Sequence, residues 1–305
     1  MGQYFFRCCG DERKAIGDRA ARDDLPKERA RKSLMRRKGN TTSTAARASV
    51  DSGVDRKNAN SVDEAFATMD IQKFVDLLSL DGSLGENQSD DIPAHPWALP
   101  PKSVKALAAM QLAVLMSSDQ SNVDETIKLG AVPKLVAMID KTAPMDQIHA
   151  AIVALVLLSS TEEGVKGIDS SAVIFELLDI MQDEYMAVGC RAAISTLLVN
   201  AACDSKTVAV AFAQRDGPEH IVRLLVILVE DDPVTEDRKV FCNELLENLL
   251  ELIDVRDASA TCSRYLAAIR EEVVKQNTKL APMFKEKYYG TEAEVSYRQL
   301  MATLG

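Results

Sequence analysis

The sequence predicts an all-α protein in which helical repeats stack into a right-handed superhelical solenoid, preceded by a disordered basic N-terminal tail. Three observations support this prediction. Apolar residues recur at helical spacing from about residue 62 onward, similar helices recur every 42 to 49 residues, and the charge changes sign near residue 60. The chain has 305 residues, of which 47% are hydrophobic and 5% aromatic, so it can bury a sizeable core.

The N-terminal tail differs in composition from the rest of the chain. Residues 1–60 carry 15 Lys and Arg against 8 Asp and Glu, a net charge of +7. Residues 61–305 carry 21 against 38, a net charge of −17. Few large apolar residues occur between Leu34 and Val62, so the tail lacks the surface that would offset the entropy of ordering. We therefore expect a disordered tail over residues 1–60 and a repeat domain over residues 61–305.

The body shows helical faces and no sustained alternation of the kind that marks strands. In residues 104–115, the side chains of Val104, Leu107, Leu112 and Leu115 fall on one helical face. A small residue followed four positions later by leucine then recurs along the chain. Its copies start at Ala108, Ala151, Ala193 and Cys242. Periods near 40–47 residues, with two or three helices each, are typical of armadillo and HEAT solenoids, so we expect about five repeats with caps.

One stretch resembles the armadillo family directly. Residues 127–136 resemble the short helix, glycine turn and following helix of an armadillo repeat. Gly130 provides the turn, where a residue without Cβ can take a positive φ, and Pro133 fits the first turn of the next helix. Residues 150–158 resemble the third helix of the family. The resemblance covers roughly residues 63–305 and implies an armadillo/HEAT-like solenoid that binds proteins along its concave face.

The binding groove is expected to differ from that of nuclear-import armadillo proteins. Those proteins place an asparagine six residues after the small residue, where it clamps an extended peptide backbone. The equivalent positions here are Val114, Leu157, Val199 and Asn248. Because only Asn248 matches, a groove of the nuclear-import kind is not expected. The predicted partner-binding residues on the concave face are Asn200 and Asn248.

An irregular insertion over residues 80–101 interrupts the repeats. It contains two glycines, four prolines and the only tryptophan of the chain, Trp97. We expect an ordered loop packed over the first helices, with Trp97 as its anchor. The alternative is a loop that contacts a partner, since tryptophan is enriched in binding hot spots.

The N-terminus carries a possible double acylation signal. Gly2 can offer the free amine that N-myristoylation requires, and Cys8 and Cys9 are candidate palmitoylation sites, although Phe6 stands where the signal usually has Ser or Thr. A single acyl chain binds membranes only weakly, whereas a second chain or a basic patch makes the attachment durable. The basic residues expected to contact the membrane are Arg29, Arg31, Lys32, Arg36, Arg37 and Lys38.

An acylated terminus joined to armadillo repeats resembles the armadillo-repeats-only family of apicomplexan parasites and their relatives. The resemblance implies a peripheral scaffold on the cytosolic face of an organelle membrane, rhoptry-like, that recruits a myosin motor and an adenylate cyclase. The alternative is a soluble armadillo-type cochaperone that exchanges nucleotide on Hsp70, and a third possibility is a regulatory subunit of a larger complex. Membrane fractionation separates the first two, because the cochaperone needs no acyl signal.

Catalytic signatures are missing from the sequence. It contains no HExxH, GxSxG, P-loop or Rossmann motif and no CxxC pair, so we expect no enzyme, no cofactor, no metal site and no nucleic-acid partner. No apolar run reaches the ~18–20 residues that a membrane span needs, and the start lacks a secretory signal.

His95, His149 and His220 are interpreted as loop, boundary and cap residues. The acidic run over residues 230–237 is interpreted as a solvated loop or an acidic edge for a basic partner. The cysteines of the body are interpreted as buried structural thiols: Cys190, Cys203, Cys242 and Cys262.

Overall fold

The computed structural model describes residues 53–84, 95, 97–140, 142–169, 173–231, 233–254 and 260–305. Within these residues the regular structure consists of fourteen helices and one isolated antiparallel bridge between Ser83 and Ser103. This confirms the predicted all-α class. The first helix begins at Gly53, before residue 61, where the repeat domain was expected to start.

The fourteen helices follow one another with short connections except where the insertion separates the second from the third. They are α1 (Gly53–Thr68), α2 (Ile71–Leu77), α3 (Val104–Ser118), α4 (Gln120–Lys128), α5 (Ala131–Val136), α6 (Met145–Leu158), α7 (Glu162–Asp169), α8 (Val173–Gln182), α9 (Val188–Asp204), α10 (Lys206–Gln214), α11 (Gly217–Glu230), α12 (Glu236–Asp254), α13 (Ala260–Glu286) and α14 (Glu292–Leu304).

Four helices, α3, α6, α9 and α12, form the spine of the described solenoid and are called here the third helices. The last three of them each follow a pair of shorter helices, and every third helix packs against the next. The small residue that starts each copy of the sequence pattern is buried at all four places: Ala108, Ala151, Ala193 and Cys242. A small side chain lets neighbouring helices approach closely, which explains why the pattern recurs with the repeat. This stacking confirms the predicted solenoid.

The predicted glycine turn is present between α4 and α5. Gly130 has φ +75° and ψ 32°, the left-handed conformation that L side chains rarely adopt. Asp216 takes the same role two repeats later, with φ 54° just before α11 and Pro218 in the first turn. The sharp bend between the first and second helix of a repeat is therefore achieved once with glycine and once with aspartate, which tolerates this conformation better than most residues.

The C-terminal end of the described solenoid is closed by a helix of 27 residues, α13, and a shorter helix of 13 residues, α14. The α13 helix packs against α11 and α12, and α14 packs against α12 and α13. Stacked rings of Phe284 and Tyr297, with centroids 4.3 Å apart, join α13 to α14. Among the described residues, no helix has the length and apolar composition needed to cross a membrane.

Candidate functional site

The insertion ends in a strap, defined here as residues 97–103, that leads directly into α3. Two backbone hydrogen bonds fix the C-terminal end of the strap: Leu84 N donates to Lys102 O over 3.0 Å, and Val104 N donates to Gly82 O over 3.0 Å. The Ser103 hydroxyl then accepts a hydrogen bond from Ala106 N and caps α3. The C-terminal end of the strap is therefore held by residues close to it in sequence, at the start of the insertion and at the start of α3.

The body of the strap lies across the first turns of α6. Lys102 N donates to Asp146 Oδ2 over 2.8 Å, and Leu99 N donates to His149 Nδ1 over 3.2 Å. Both acceptors are almost completely buried, with Asp146 5% and His149 3% exposed. A third helix of one repeat thus holds an irregular segment through the backbone of that segment.

Trp97 anchors the N-terminal end of the strap against α6 and α9. Its ring meets the His149 ring edge to face, with centroids 5.5 Å apart, and the His95 ring at 4.8 Å. Its Cβ lies so near to Gly189 in α9 that a Cβ added there would be 2.5 Å away. The anchor was expected over the first helices. The structure places it one to two repeats further along, where glycine leaves room for the indole.

Burial keeps both histidines around the strap neutral near pH 7. It lowers the pKa of His149, although the carboxylate of Asp146 opposes that effect. The pKa of His95 falls to about 4, first because of burial and then because of His149, with Asp237 acting in the opposite direction. A neutral His149 can accept the Leu99 N–H with Nδ1. The sequence interpretation of His149 as a boundary residue missed this role.

The two predicted partner-binding asparagines instead join neighbouring third helices. Asn248 is completely buried, and its Nδ2 donates to Ser195 Oγ over 3.2 Å and to Thr196 Oγ1 over 3.0 Å. Asn200 is half-buried and donates to Ser159 Oγ over 3.0 Å. The placement of Asn248 on an exposed concave face was therefore wrong, because α12 turns this residue towards α9.

The predicted acylation and membrane-contacting residues lie outside the residues that the structure describes. They are Gly2, Cys8, Cys9, Arg29, Arg31, Lys32, Arg36, Arg37 and Lys38. Their roles stay predictions from the sequence.

The cysteines of the body differ in burial. Cys190 and Cys242 are buried, and burial raises the pKa of both thiols, that of Cys242 to about 12. Cys203 is half-buried and packs against the core, so it is less buried than the other two thiols. The side chain of Cys262 lies outside the described part of the chain. In that part, no three side chains of the kinds that ligate metals come together.

The acidic run before and within α12 is largely paired with basic side chains. Glu230 contacts Lys279 over 2.9 Å, and Asp231 forms an ion pair with Arg238. Such exposed pairs hold a loop in place and contribute little to stability. They leave a smaller acidic surface for a partner than the sequence indicates.

A second acidic region lies between α12 and α14, around a cavity of about 500 Å³. Glu236, Glu244, Glu247 and Glu292 line it. Burial, and then the neighbouring Glu247, raises the pKa of Glu244 to about 7. Lys239 also lines the cavity and pairs with Glu236, so the mutual repulsion falls on Glu244, Glu247 and Glu292 and disfavours anionic ligands at that end of the cavity.

Comparison with known proteins identifies the fold. No family model matches the chain, and no curated protein matches it. The structure is similar to the armadillo-repeats-only protein ARO from Plasmodium falciparum, at 21% identity and a TM-score of 0.62, covering 85% of this chain and 100% of that chain. It is also similar to a designed armadillo repeat protein in complex with the peptide (KR)4, at 13% identity and a TM-score of 0.50, covering 82% of this chain and 91% of that chain. The fold is therefore the armadillo-repeat solenoid that the sequence predicts.

Proposed function

We propose that this protein is a scaffold that binds segments of other proteins with its armadillo solenoid and is held on a membrane by its acylated N-terminal tail. One observation carries the proposal. The structural match covers 100% of the ARO chain and 85% of this chain. The two proteins therefore share the armadillo solenoid as a whole and not only a few of its helices. Armadillo solenoids present extended surfaces to partner proteins, which fits a scaffold that recruits rather than a catalyst.

The charge of the body supports a protein partner with basic segments. Residues 61–305 carry a net charge of −17, which repels nucleic acid and attracts cationic chains. The designed armadillo neighbour was solved with the basic peptide (KR)4, so this fold can hold such a chain. We expect partner segments to be extended and to include lysine or arginine.

Attachment to the membrane is assigned to Gly2, Cys8 and Cys9 together with the basic residues of the tail. Each basic residue near an anionic leaflet contributes about 1 kcal/mol, and two acyl chains make the attachment durable. The resemblance to the apicomplexan family supports a proposed location on the cytosolic face of a rhoptry-like organelle. The proposed partners there are a myosin motor and an adenylate cyclase.

Metabolic labelling tests the anchoring. In cells supplied with alkyne analogues of myristate and palmitate, the wild-type chain should incorporate both and sediment with membranes. The Gly2→Ala variant should lose both labels and remain in the supernatant, whereas the Cys8→Ser, Cys9→Ser variant should keep myristate and bind weakly. Equal fractionation of wild type and Gly2→Ala would contradict the anchor.

Proximity labelling from the full chain tests the partners. A biotin ligase fused to its C-terminus should label a myosin and an adenylate cyclase, and Gly2→Ala should reduce that labelling because it moves the scaffold away from the membrane. Labelling of Hsp70, with accelerated nucleotide release from Hsp70 by the purified chain, would favour the cochaperone instead.

A further inference from the structure

We propose that the strap is a latch that acid releases: neutral imidazole rings hold it against α6, and it detaches when these rings take up protons. The latch consists of His149 of α6, His95 before the strap and Trp97 within it. Its opening is local, because the stacked third helices do not depend on it. This device goes beyond the proposed scaffold function, since it depends on the strap and not on any partner.

The hydrogen bond between Leu99 and His149 determines which nitrogen of the imidazole carries the proton. Because Nδ1 accepts from Leu99 N over 3.2 Å, the proton of the neutral ring lies on Nε2. A further proton can bind only at Nδ1, and the imidazolium ring that results has two donors and no acceptor. Its Nδ1–H would then face the Leu99 N–H, so an attractive contact would become a repulsive one. Closure of the strap and protonation of His149 are therefore opposed.

The described surroundings of the two rings offer little to an added charge. His149 is 3% exposed, and its Nε2 is fully buried without a hydrogen-bond partner among the described residues. The same holds for Nδ1 of His95. Both rings contact the indole of Trp97, and a charge on His149 also disfavours a charge on His95. A buried cation with unpaired donors is costly, and opening the strap returns both rings to water.

Two carboxylates act against this effect without cancelling it. Asp146, three residues before His149 on α6, favours the protonated ring, yet burial outweighs it and the pKa of His149 remains lowered. Asp146 Oδ2 also accepts from Lys102 N over 2.8 Å. Asp237, at the start of α12, favours protonation of His95, whose pKa nevertheless falls to about 4. Burial is therefore the larger effect at both rings.

The helices that pack most closely on α6 are α3, α9 and α5, and they add no carboxylate near its first turns. Neither α3 nor α5 contains Asp or Glu, and α9 contains only Asp204 at its C-terminal end. Arg191 of α9 and Lys134 of α5 each donate to a backbone carbonyl. Asp140, between α5 and α6, accepts from the threonine two residues later. Protonated rings would therefore gain no counter-charge from these three helices.

The difference in proton uptake determines how the strap responds to pH. In the open strap both rings are solvated and titrate near pH 6.5, whereas in the closed strap they titrate at lower pH. Between these values the ratio of open to closed strap rises about tenfold per pH unit for each ring. The strap is therefore held at neutral pH and released progressively as the pH falls below about 6.5.

The neighbouring parts of the fold do not share this dependence. The α6 helix packs on α3 and α9, and its buried residues beyond His149 are apolar and do not titrate. The bond of Val104 N to Gly82 O, just beyond the C-terminal end of the strap, joins two backbone groups and takes up no proton. Acid should therefore free the segment around Leu99 before it affects the helices.

Fluorescence of Trp97, the only tryptophan of the chain, tests the latch in the full protein. Between pH 7.5 and 5 its emission maximum should move to longer wavelength and acrylamide quenching should rise, while far-UV circular dichroism stays constant. His149→Asn keeps an acceptor near the position of Nδ1 but cannot be protonated, so it should reduce the shift to less than half. His149→Ala has no acceptor and should show the open state already at pH 7.5. A constant emission of the wild type, a full response in His149→Asn, or a parallel loss of helix signal would overturn the proposal.

Hydrogen exchange supplies a test that needs no variant. With rates corrected for the intrinsic effect of pH, protection of the Leu99 amide should fall at least tenfold between pH 7 and 5. Protection of the Val104 amide should change less than about threefold, since its bond takes up no proton. Equal changes at both amides would show that acid opens the whole region and would refute a local latch. Neither result affects the membrane and proximity-labelling tests, so the latch and the scaffold function fail separately.

Discussion

At the scale of single residues, the histidines under the strap give the protein a defined pH response. Both are neutral when folded because burial lowers the pKa of His149 and lowers that of His95 to about 4. The unfolded chain takes up protons from about pH 6.5 downward, and the folded chain does so only at lower pH, so the free energy of unfolding falls as the pH drops below about 6.5 and continues to fall towards the pKa of His95. Asp146 and Asp237, which favour protonation, moderate the effect.

Urea unfolding at pH 7, 5.5 and 4.5 checks this response. The double variant His95→Gln, His149→Gln should lose less stability over this range than wild type. His220 lies beside Arg223 and its pKa is also lowered by burial, so His220→Gln is the comparison. It should remove only its own share of the pH dependence, and combining it with the double variant should reduce the loss further. A double variant with the same pH profile as wild type would contradict the assignment.

The left-handed turn residues allow a second test at this scale. Gly130→Ala should destabilise the protein by about 1 kcal/mol, because alanine disfavours φ +75° although no atom lies within 4 Å of the added Cβ. Asp216, at φ 54°, is the matched position. Asp216→Gly should change stability by less than about 0.5 kcal/mol, whereas Asp216→Val should destabilise by about 1–2 kcal/mol. Thermal unfolding measures all three, and a neutral Gly130→Ala would show that the turn tolerates a side chain.

At the scale of helices, buried amides fix the register between third helices. Asn248→Ala should destabilise the protein by about 1–2 kcal/mol, because it removes two hydrogen bonds from α12 to Ser195 and Thr196 of α9. Asn200→Ala is the control, since this half-buried side chain makes one such bond and its loss should cost less than about 1 kcal/mol. Denaturant unfolding checks the order, and a larger loss for Asn200→Ala would contradict it.

The helices themselves are predictable from sequence, whereas the contacts between distant segments are not. The recurring small residue predicts the third helices because periodic burial leaves a periodic pattern, and Gly130 predicts a turn from local conformation alone. The strap escapes such reasoning because its bonds join residues 44 and 50 positions apart. The only signal is the polar residues at the start of the apolar helix α6, of which Asp146 and His149 are buried and Gln147 is half-buried. Asn248 was predicted to contact a partner because its position in the repeat motif does not reveal that α9 covers its side chain.

At the scale of the whole molecule, the tail and the body carry net charges of opposite sign. These charges suit the two proposed functions, membrane attachment for the tail and partner binding for the body. The tail, at +7, suits an anionic leaflet, and the body, at −17, is repelled by the same surface. The proposed anchor therefore rests on the charge of the tail and not on the charge of the body. The mean composition conceals this division, because it averages the two regions.

Binding to anionic vesicles tests whether the basic tail governs attachment. Binding of the full, myristoylated chain to vesicles containing phosphatidylserine should weaken at least tenfold when Arg36, Arg37 and Lys38 are replaced by glutamate, since each lost basic residue removes about 1 kcal/mol. The same substitutions should have little effect at 1 M salt, where the screening length falls to about 3 Å. Replacing Lys128, Lys206 and Lys285, three exposed lysines of the solenoid, with glutamate changes the net charge equally and serves as the matched control. It should leave flotation with vesicles nearly unchanged. If both triple variants weakened binding alike, net charge rather than a basic tail would govern attachment.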